Sequence, residues 1–164
     1  MGGYDASKFT PNGVDFQFAS DISRDLVVGL QSISYTDSTK STSQPLSSEG
    51  HLTFIDATVP QIWLPQDACT LFENAFGLTY NDTIKRYLVN NTLHDQLQSR
   101  NPSISFILGN DINGGPSVNI TLPYHAFDLT LDKPIVNSTQ YYFPLRRADN
   151  DTQTTLGRTF LQEA

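Results

Sequence analysis

The residues with the clearest chemical content are 52–65, which read Leu-Thr-Phe-Ile-Asp-Ala-Thr-Val-Pro-Gln-Ile-Trp-Leu-Pro. An apolar run rich in strand-forming residues ends at a single carboxylate, Asp56, and a turn at 58–60 leads into a second apolar run that ends at Pro65. A strand that carries an aspartate at its tip holds the carboxylate on a rigid support, as a chemical site requires. The alternative is a plain turn, in which Asp56 accepts a hydrogen bond from the backbone two residues further on. Both interpretations remain open at this point.

The other reactive residue types form no recognisable site. The three histidines, His51, His94 and His125, share no metal-ligand spacing, and one cysteine cannot complete a zinc site. There is no glycine-rich phosphate loop and no Gly-x-Ser-x-Gly nucleophile elbow. The pair of arginines at 146–147 is interpreted as a solvated strand end. We therefore expect no metal and no cofactor.

Length and charge restrict the class of protein. A chain of 164 residues predicts one domain that buries about 70% of its unfolded surface. The net charge of −7 and the pI of about 4.6 argue against nucleic acid or an anionic membrane as a partner. No apolar run approaches the roughly 20 residues that a membrane-spanning helix needs, so no membrane segment is expected.

Five Asn-x-Ser/Thr sequons indicate a secreted or cell-surface glycoprotein. They lie at Asn81, Asn90, Asn119, Asn137 and Asn150. No apolar leader follows Met1, so we interpret the sequence as a piece of a longer secreted protein. The single cysteine, Cys69, excludes an internal disulfide. Two interpretations of it stay open: a buried thiol that packs as a small hydrophobe, or a disulfide to a part of the protein outside this chain.

The pattern of the chain predicts mostly strands with one main helix. The helix is predicted over 66–76, because apolar residues recur there at helical spacing between Pro65 and Gly77. Residues 92–99 are expected to form at most two helical turns, and 36–50 a mobile surface loop. The predicted strands are 2–5, 14–18, 26–35, 52–55, 87–89, 103–108, 118–122, 124–131 and 140–145, and a further apolar strand is expected between the turn at 58–60 and Pro65. Residues 109–117 are predicted as a hairpin loop, and 150–153 as a turn. This pattern is typical of a β-sandwich or a partly closed barrel.

Five segments, in order, resemble the C-terminal lobe of pepsin-like (family A1) aspartic peptidases, in particular divergent secreted members from fungi. The Asp56 segment is similar to the family's second active-site loop, which reads Asp-Thr-Gly or Asp-Ser-Gly. Leu156 and Gly157 resemble the element that crosses beneath that loop, where family members often carry Asp in the position of Arg158. The other matches are Gly-Gly-Tyr-Asp at 2–5, Pro-Ser-Ile-Ser-Phe at 102–106 and Leu-Pro-Tyr-His-Ala-Phe at 122–127.

The resemblance implies a role for the chain and for Asp56. The chain, residues 1–164, would be the C-terminal lobe of a bilobal protein whose N-terminal lobe is its partner. In the family, each lobe supplies one carboxylate; one acts as general base on a water and the other as general acid toward the scissile carbonyl. Asp56 would be the carboxylate of this lobe, and the second aspartate and the flap would belong to the other lobe. The implied activity is hydrolysis of peptide bonds in a peptide or protein substrate.

The loop nevertheless departs from the family pattern at three positions. Ala57 and Val59 stand where the family has hydroxyl side chains, and Thr58 replaces a glycine whose backbone approaches the carboxylate. A misplaced catalytic group can lower a rate about 10²-fold. We therefore expect peptidase activity to be weak or lost. The alternatives are a non-catalytic pseudopeptidase that binds peptide and a β-rich secreted surface or cell-wall module.

Overall fold

The structure is a computed structural model that describes residues 5, 7, 10–19, 26–37 and 42–164. It is mainly β, with 40% strand and 22% helix, and its sheets do not close into a barrel over the described residues. The strands are β1 (Val27–Thr36), β2 (Ser43–Pro45), β3 (His51–Ile55), β4 (Ile62–Leu64), β5 (Thr79–Asn81), β6 (Arg86–Val89), β7 (Ser103–Asp111), β8 (Gly114–Pro123), β9 (Leu129–Leu131), β10 (Gln140–Phe143), β11 (Leu145–Arg147) and β12 (Thr155–Leu156). The α-helices are α1 (Gln66–Phe76), α2 (Asn91–Arg100) and α3 (Arg158–Leu161).

Two sheets enclose the core. The larger sheet has the order β11-β4-β12-β3-β1-β7-β8, with β2 added on β1, and the smaller has the order β5-β6-β10-β9. Within the larger sheet, β11 pairs with β4 and β12 with β3 in parallel, and the other pairings are antiparallel. The strands that flank the Asp56 turn, β3 and β4, therefore both lie against β12, which fixes the turn between them.

Helix α1 begins and ends as the sequence predicts. It starts after Pro65 and ends at Gly77, whose φ of 70° suits a residue without a Cβ. Its apolar face buries Ala68, Cys69, Phe72 and Phe76. The rings of Phe72 and Phe76 pack at centroid distances of 6.1 and 5.4 Å from Phe143 of β10. The helix therefore fills the space between the two sheets.

Helix α2 is longer than the one or two turns expected. Its sequence is polar, but both ends are capped: Asn90 Oδ1 accepts a hydrogen bond from the Leu93 N–H at 2.9 Å, and Asn101 adopts a left-handed conformation with φ of 40°. Within the helix, His94 is buried and stacks on the Tyr141 ring at 3.7 Å. Its Nε2 lies 3.0 Å from Asp128, so caps and this one anchor stabilise a helix whose apolar pattern is weak.

Residues 103–123 form a longer hairpin than predicted. The expected loop at 109–117 is wrong, because β7 and β8 continue to a two-residue turn between Asp111 and Gly114. Gly114 and Gly115 have φ of 104° and 85°, which lets the backbone continue through this tight reversal. Gln31 Nε2 donates hydrogen bonds to the carbonyls of Asp111 and Gly114, at 3.0 and 2.7 Å, and ties the turn to β1.

Two predicted strands are divided in the structure. Residues 124–131 are not one strand, since Tyr124–Phe127 forms a 3-10 helix and only β9 is extended. Residues 140–145 separate at Pro144, which has no N–H to continue a ladder. There β10 leaves the smaller sheet and β11 enters the larger one, while the Pro144 carbonyl accepts a hydrogen bond from Ile62 N–H at 2.9 Å.

Several predictions for the first 50 residues are wrong. No strand forms at 14–18, and residues 2–4 of the predicted first strand lie outside the described residues. The expected surface loop at 36–50 contains β2 and a fully buried Leu46, whose N–H donates to the Ile33 carbonyl at 2.7 Å. One apolar residue in a polar segment is therefore enough to fasten part of it to the core. The predicted turn at 150–153 is a 3-10 helix, Asp151–Gln153.

Candidate functional site

Asp56 lies directly after β3, at the start of a turn that is bonded to the strand beneath it. Its backbone N–H donates to the Leu156 carbonyl of β12 at 3.2 Å, and the N–H of Val59 closes the turn onto the Asp56 carbonyl at 3.3 Å. The preceding residue, Ile55, donates its N–H to the Leu26 carbonyl at 2.9 Å. The aspartate is thus anchored by backbone bonds on both sides.

Gly157 lets the underlying chain pass close to the turn. A Cβ at this position would lie 2.2 Å from the Gln61 carbonyl oxygen and 2.3 Å from that of Val59. Because those are backbone atoms, a side chain cannot be accommodated without moving the loop. Immediately after Gly157, Arg158 N–H donates to the Val59 carbonyl at 2.7 Å, and Thr159 donates both its N–H and its hydroxyl to the Pro60 carbonyl. Leu156 and Gly157 therefore lie beneath the loop.

The carboxylate of Asp56 is held by one residue. Its Oδ1 accepts the Thr58 N–H at 2.8 Å and the Thr58 hydroxyl at 2.7 Å. The hydroxyl and then the N–H of Thr58 lower the pKa of Asp56 from its ordinary value of 3.8, because both bonds favour the charged form. The bond from the backbone two residues on is the turn geometry considered as the plain alternative. It coexists here with a carboxylate at a loop tip.

Thr58 also bears on the three positions, 57–59, at which the loop differs from the family pattern. Ala57 and Thr58 are exposed and Val59 is half-buried, so none of them packs into the core. Val59 offers no hydroxyl to the aspartate, but Thr58 offers one from the preceding position. Compared with the family pattern that the loop resembles, the hydroxyl beside the carboxylate comes from residue 58 and not from residue 59. The hydroxyl that Ala57 lacks has no such replacement within this turn.

A small cavity of about 270 Å³ lies beside Asp56. Its lining residues are Phe54, Asp56, Val59, Trp63, Thr152, Gln153 and Thr155. At least three larger cavities lie elsewhere, of about 650, 640 and 370 Å³: the first between α2 and the smaller sheet, the second beside the start of β3, and the third on α2. None of these three cavities is lined by Asp56. Asp56 therefore does not lie in the largest cavity of the described residues.

Two arginines were misjudged at the sequence level. The expectation of a solvated strand end at 146–147 is wrong, because both side chains are half-buried and stacked on aromatic rings. Arg146 lies over the Trp63 ring at 4.1 Å. Arg147 lies over Tyr80 at 4.2 Å and donates to Glu73 at 2.8 Å. No local spacing signals these contacts, since they form between strands that are distant in sequence.

Cys69 is fully buried on the apolar face of α1. Its Sγ lies 3.5 Å from the Leu64 carbonyl and 3.7 Å from that of Arg146, and burial raises the pKa of the thiol to about 12. This environment suits a thiol that packs as a small hydrophobe. Of the two interpretations that the sequence left open, the structure favours packing within this chain.

The sequon asparagines lie at the surface, to different degrees. Asn90, Asn119, Asn137 and Asn150 are exposed, and Asn81 is half-buried. Asn81 Oδ1 accepts hydrogen bonds from the backbone N–H groups of Thr83 and Ile84, so its side chain is part of a turn.

Within the described part of the chain there is no cluster of His, Cys, Asp and Glu that could hold a metal ion, and no helix that is long and apolar enough to cross a membrane.

No protein-family model and no curated protein matches this chain. Among solved structures, it is similar to the crystal structure of aspartic proteinase from Irpex lacteus, with a TM-score of 0.68 and 18% sequence identity. The similarity covers 98% of this chain and 45% of that chain, so the chain spans somewhat less than half of that protein. At this identity the similarity concerns the fold alone. It confirms the predicted fold class, a mainly β chain similar to an aspartic proteinase lobe with one main helix.

Proposed function

We propose that this chain is the C-terminal lobe of a secreted, glycosylated two-lobed protein, in which Asp56 supplies one carboxylate of a peptide-hydrolysing pair. The observation that carries the proposal is the support of Asp56. The aspartate follows a central strand, its backbone is bonded to Leu156, and the chain at Gly157 passes in contact beneath it. The fold similarity to part of an aspartic proteinase supports a lobe that works with a second one.

The hydrogen bonds from Thr58 favour the ionised form of Asp56, which is the form that a general base needs. Two carboxylates that face each other share a proton, because like charges at close distance do not both ionise. The member with the lower pKa carries the charge. Since Thr58 stabilises the ionised form of Asp56, we propose that Asp56 acts as the general base that takes a proton from water, with the carboxyl group of the other lobe as the acid.

The activity of the parent protein is proposed to be weak. Ala57 has no hydroxyl to donate to a facing loop, and the Thr58 hydroxyl already donates its hydrogen bond to Asp56. Two facing loops that are not bonded to each other hold their carboxylates less rigidly, which lowers the rate. A non-catalytic peptide-binding protein is the second candidate, favoured by the same observation. Isolated from a partner lobe, this chain is expected to cleave nothing, because the reaction needs both a base and an acid.

The experiment compares full-length parent protein with two variants on a peptide library at pH 3–5, with mass spectrometry of the products. Slow cleavage in the wild type, absent in Asp56→Asn and retained in Asp82→Asn, would support the peptidase. Asp82 is a suitable control because its side chain is 82% exposed on a turn. Binding without cleavage by both the wild type and Asp56→Asn would favour the second candidate. Cleavage that does not depend on Asp56 would reject the proposal.

A further inference from the structure

A row of side chains leads from the Asp56 cavity across three strands. Trp63 of β4 is paired with Arg146 of β11 on one side and with Thr155 of β12 on the other. Paired residues of neighbouring strands project from the same face of a sheet. The neighbours of Trp63 along β4, Ile62 and Leu64, are 2% and 0% exposed, so they face the core and the row faces away from it.

The row is continuous with the candidate site. Trp63 and Thr155 line the same 270 Å³ cavity as Asp56. Arg146 follows at the far side of Trp63, with its guanidinium 4.1 Å from the ring centre. A chain that occupies the Asp56 cavity and extends along this face therefore meets Trp63 first and Arg146 next.

The stacking on Trp63 orients Arg146 for an anion. A guanidinium held over an indole ring still presents N–H donors at its edge, where they match the two oxygens of a carboxylate. A second arginine, Arg86, belongs to β6, and β6 contacts the strand β11 that carries Arg146. Burial first, and then the charge of Arg146, lowers the pKa of Arg86. The buried Nε of Arg86 has no hydrogen-bond partner.

These two cations are not neutralised within the described part of the chain. Two other arginines there have carboxylate partners, Arg100 with Asp37 and Arg147 with Glu73, each at 2.8 Å, whereas Arg158 also has none among the described residues. Neither Arg86 nor Arg146 forms an ion pair with a carboxylate of the described residues. The whole chain carries a net charge of −7, so the positive charge of Arg86 and Arg146 is opposite in sign to the net charge of the protein. Such a pair attracts an anionic ligand group.

We propose that Arg146, on its Trp63 platform and with Arg86 beside it, is a subsite for an acidic side chain of a bound peptide. The inference rests on the proposed function, because the peptide would reach this subsite from the Asp56 cavity. It adds that peptides with Asp or Glu a few residues from the position of Asp56 bind preferentially. Arg146 acts on the ligand directly and takes no part in the hydrolysis.

Trp63 provides the reporter for a binding test, since it is the single tryptophan of the chain. The test uses alanine-rich octapeptides that carry one Glu, placed at each position in turn, and matched peptides that carry Gln instead. Each peptide is titrated into the 164-residue chain at pH 7 and low salt. Trp63 fluorescence gives the dissociation constants. In at least one position the Glu peptide should bind about tenfold more tightly than its Gln counterpart, the size expected for a charge-assisted hydrogen bond. The difference should shrink as salt is added.

Three variants test the assignment, with circular dichroism to verify that each is folded. Arg146→Gln should abolish the Glu preference, and Arg146→Lys should retain part of it, because the charge remains but the planar fork is lost. Arg86→Gln should weaken the preference. Lys133→Gln is the matched control: it removes one positive charge from an exposed residue outside the row and should leave the preference intact.

Three results would overturn the subsite. They are equal affinity for Glu and Gln peptides, a Glu preference that survives in Arg146→Gln, and no binding of any peptide up to millimolar concentration. Equal affinity with measurable binding would leave the proposed peptide cleft in place. The proposed hydrolysis is judged separately, by Asp56-dependent cleavage in the parent protein, so the two claims fail independently.

Discussion

At the scale of single residues, Thr58 determines the state of Asp56. It donates its N–H and its hydroxyl to the same carboxylate oxygen, at 2.8 and 2.7 Å. The same two bonds close the turn and stabilise the charge, so a structural requirement and a chemical one are met by one side chain. The pKa of Asp56 is lowered as a consequence.

The first prediction is that Thr58→Val raises the pKa of Asp56 toward 3.8, because the hydroxyl is the largest cause of the shift. Thr58→Ser keeps the hydroxyl and is the control. Carbon-13 NMR titration of the Asp56 carboxyl group measures both. Since the folded pKa lies below the unfolded one, these bonds stabilise the folded chain above about pH 4 and cease to do so as the pH falls through the folded pKa. An unchanged pKa in Thr58→Val would contradict the account.

The second prediction concerns Cys69, whose burial raises the pKa of its thiol to about 12. A thiol that is neither exposed nor ionised does not react with alkylating reagents. Native protein should therefore remain unlabelled by iodoacetamide at pH 8, while protein in guanidinium chloride is labelled fully. If the chain is part of a longer secreted protein, as we propose, non-reducing peptide mapping of that protein should likewise show a free Cys69 thiol. A disulfide from Cys69 to a cysteine outside residues 1–164 would refute the packing interpretation.

At the scale of elements, sequence reasoning succeeded where a single pattern determines the structure. The spacing of apolar residues between Pro65 and Gly77 gave both ends of α1, and the run before Asp56 gave β3. It failed where a distant partner decides. Helix α2 depends on its caps and on the contact of His94 with Tyr141, and β2 is followed by one buried leucine, Leu46. Such contacts leave no local periodicity to read.

In the candidate site, too, some contacts could be predicted from the sequence and others could not. Asp56 and the Leu156–Gly157 crossing could be predicted as neighbours from the ordered resemblance alone. The bond from the Thr58 hydroxyl could not be predicted, since the family pattern has that hydroxyl at residue 59. Arg146 and Trp63 were also missed, because their contact follows from the parallel pairing of β11 with β4. Strand pairing of this kind is not encoded in adjacent residues.

The third prediction belongs to the crossing element. Gly157→Ala should destabilise the chain by about 1–3 kcal/mol, because the added Cβ would lie 2.2–2.3 Å from two backbone carbonyl oxygens. Gly13→Ala is a matched control, since a Cβ there would meet nothing within 4 Å. Urea unfolding monitored by circular dichroism compares the two. A Gly157→Ala chain as stable as the control would show that the crossing does not confine the loop.

At the scale of the whole molecule, the chain combines an acidic charge of −7 with surface sequons and an Asp56 loop supported from beneath. The similarity covers 98% of this chain but 45% of the aspartic proteinase from Irpex lacteus. If the chain is one lobe of a two-lobed protein, as we propose, it can have a complete core of its own while the proposed reaction requires the second lobe. Its stability can then be measured on this chain, whereas the proposed activity has to be measured on the longer protein.

The fourth prediction is glycosylation in a secreting eukaryotic host. We expect glycans at the exposed Asn90, Asn119, Asn137 and Asn150, and the lowest occupancy at Asn81, whose side chain holds two backbone N–H groups. Peptide mass mapping after glycosidase treatment measures each position. Asn90→Asp separates the two roles of that residue: it removes the glycan and keeps the cap of α2, whereas Asn90→Ala also lowers stability by about 1 kcal/mol. All five positions unmodified in protein from its native source would argue against secretion.

The most direct measurement of the central claim is the initial rate of peptide cleavage by the full-length parent protein at pH 3–5, in four forms. These are the wild type, the loop variant Ala57→Thr with Thr58→Gly and Val59→Thr, and each of the two with Asp56→Asn added. If Asp56 is one carboxylate of a pair in a loop that has lost part of its support, the loop variant should cleave at least tenfold faster than the wild type, and Asp56→Asn should abolish cleavage in both backgrounds. Rates that are the same with and without Asp56→Asn would contradict the claim.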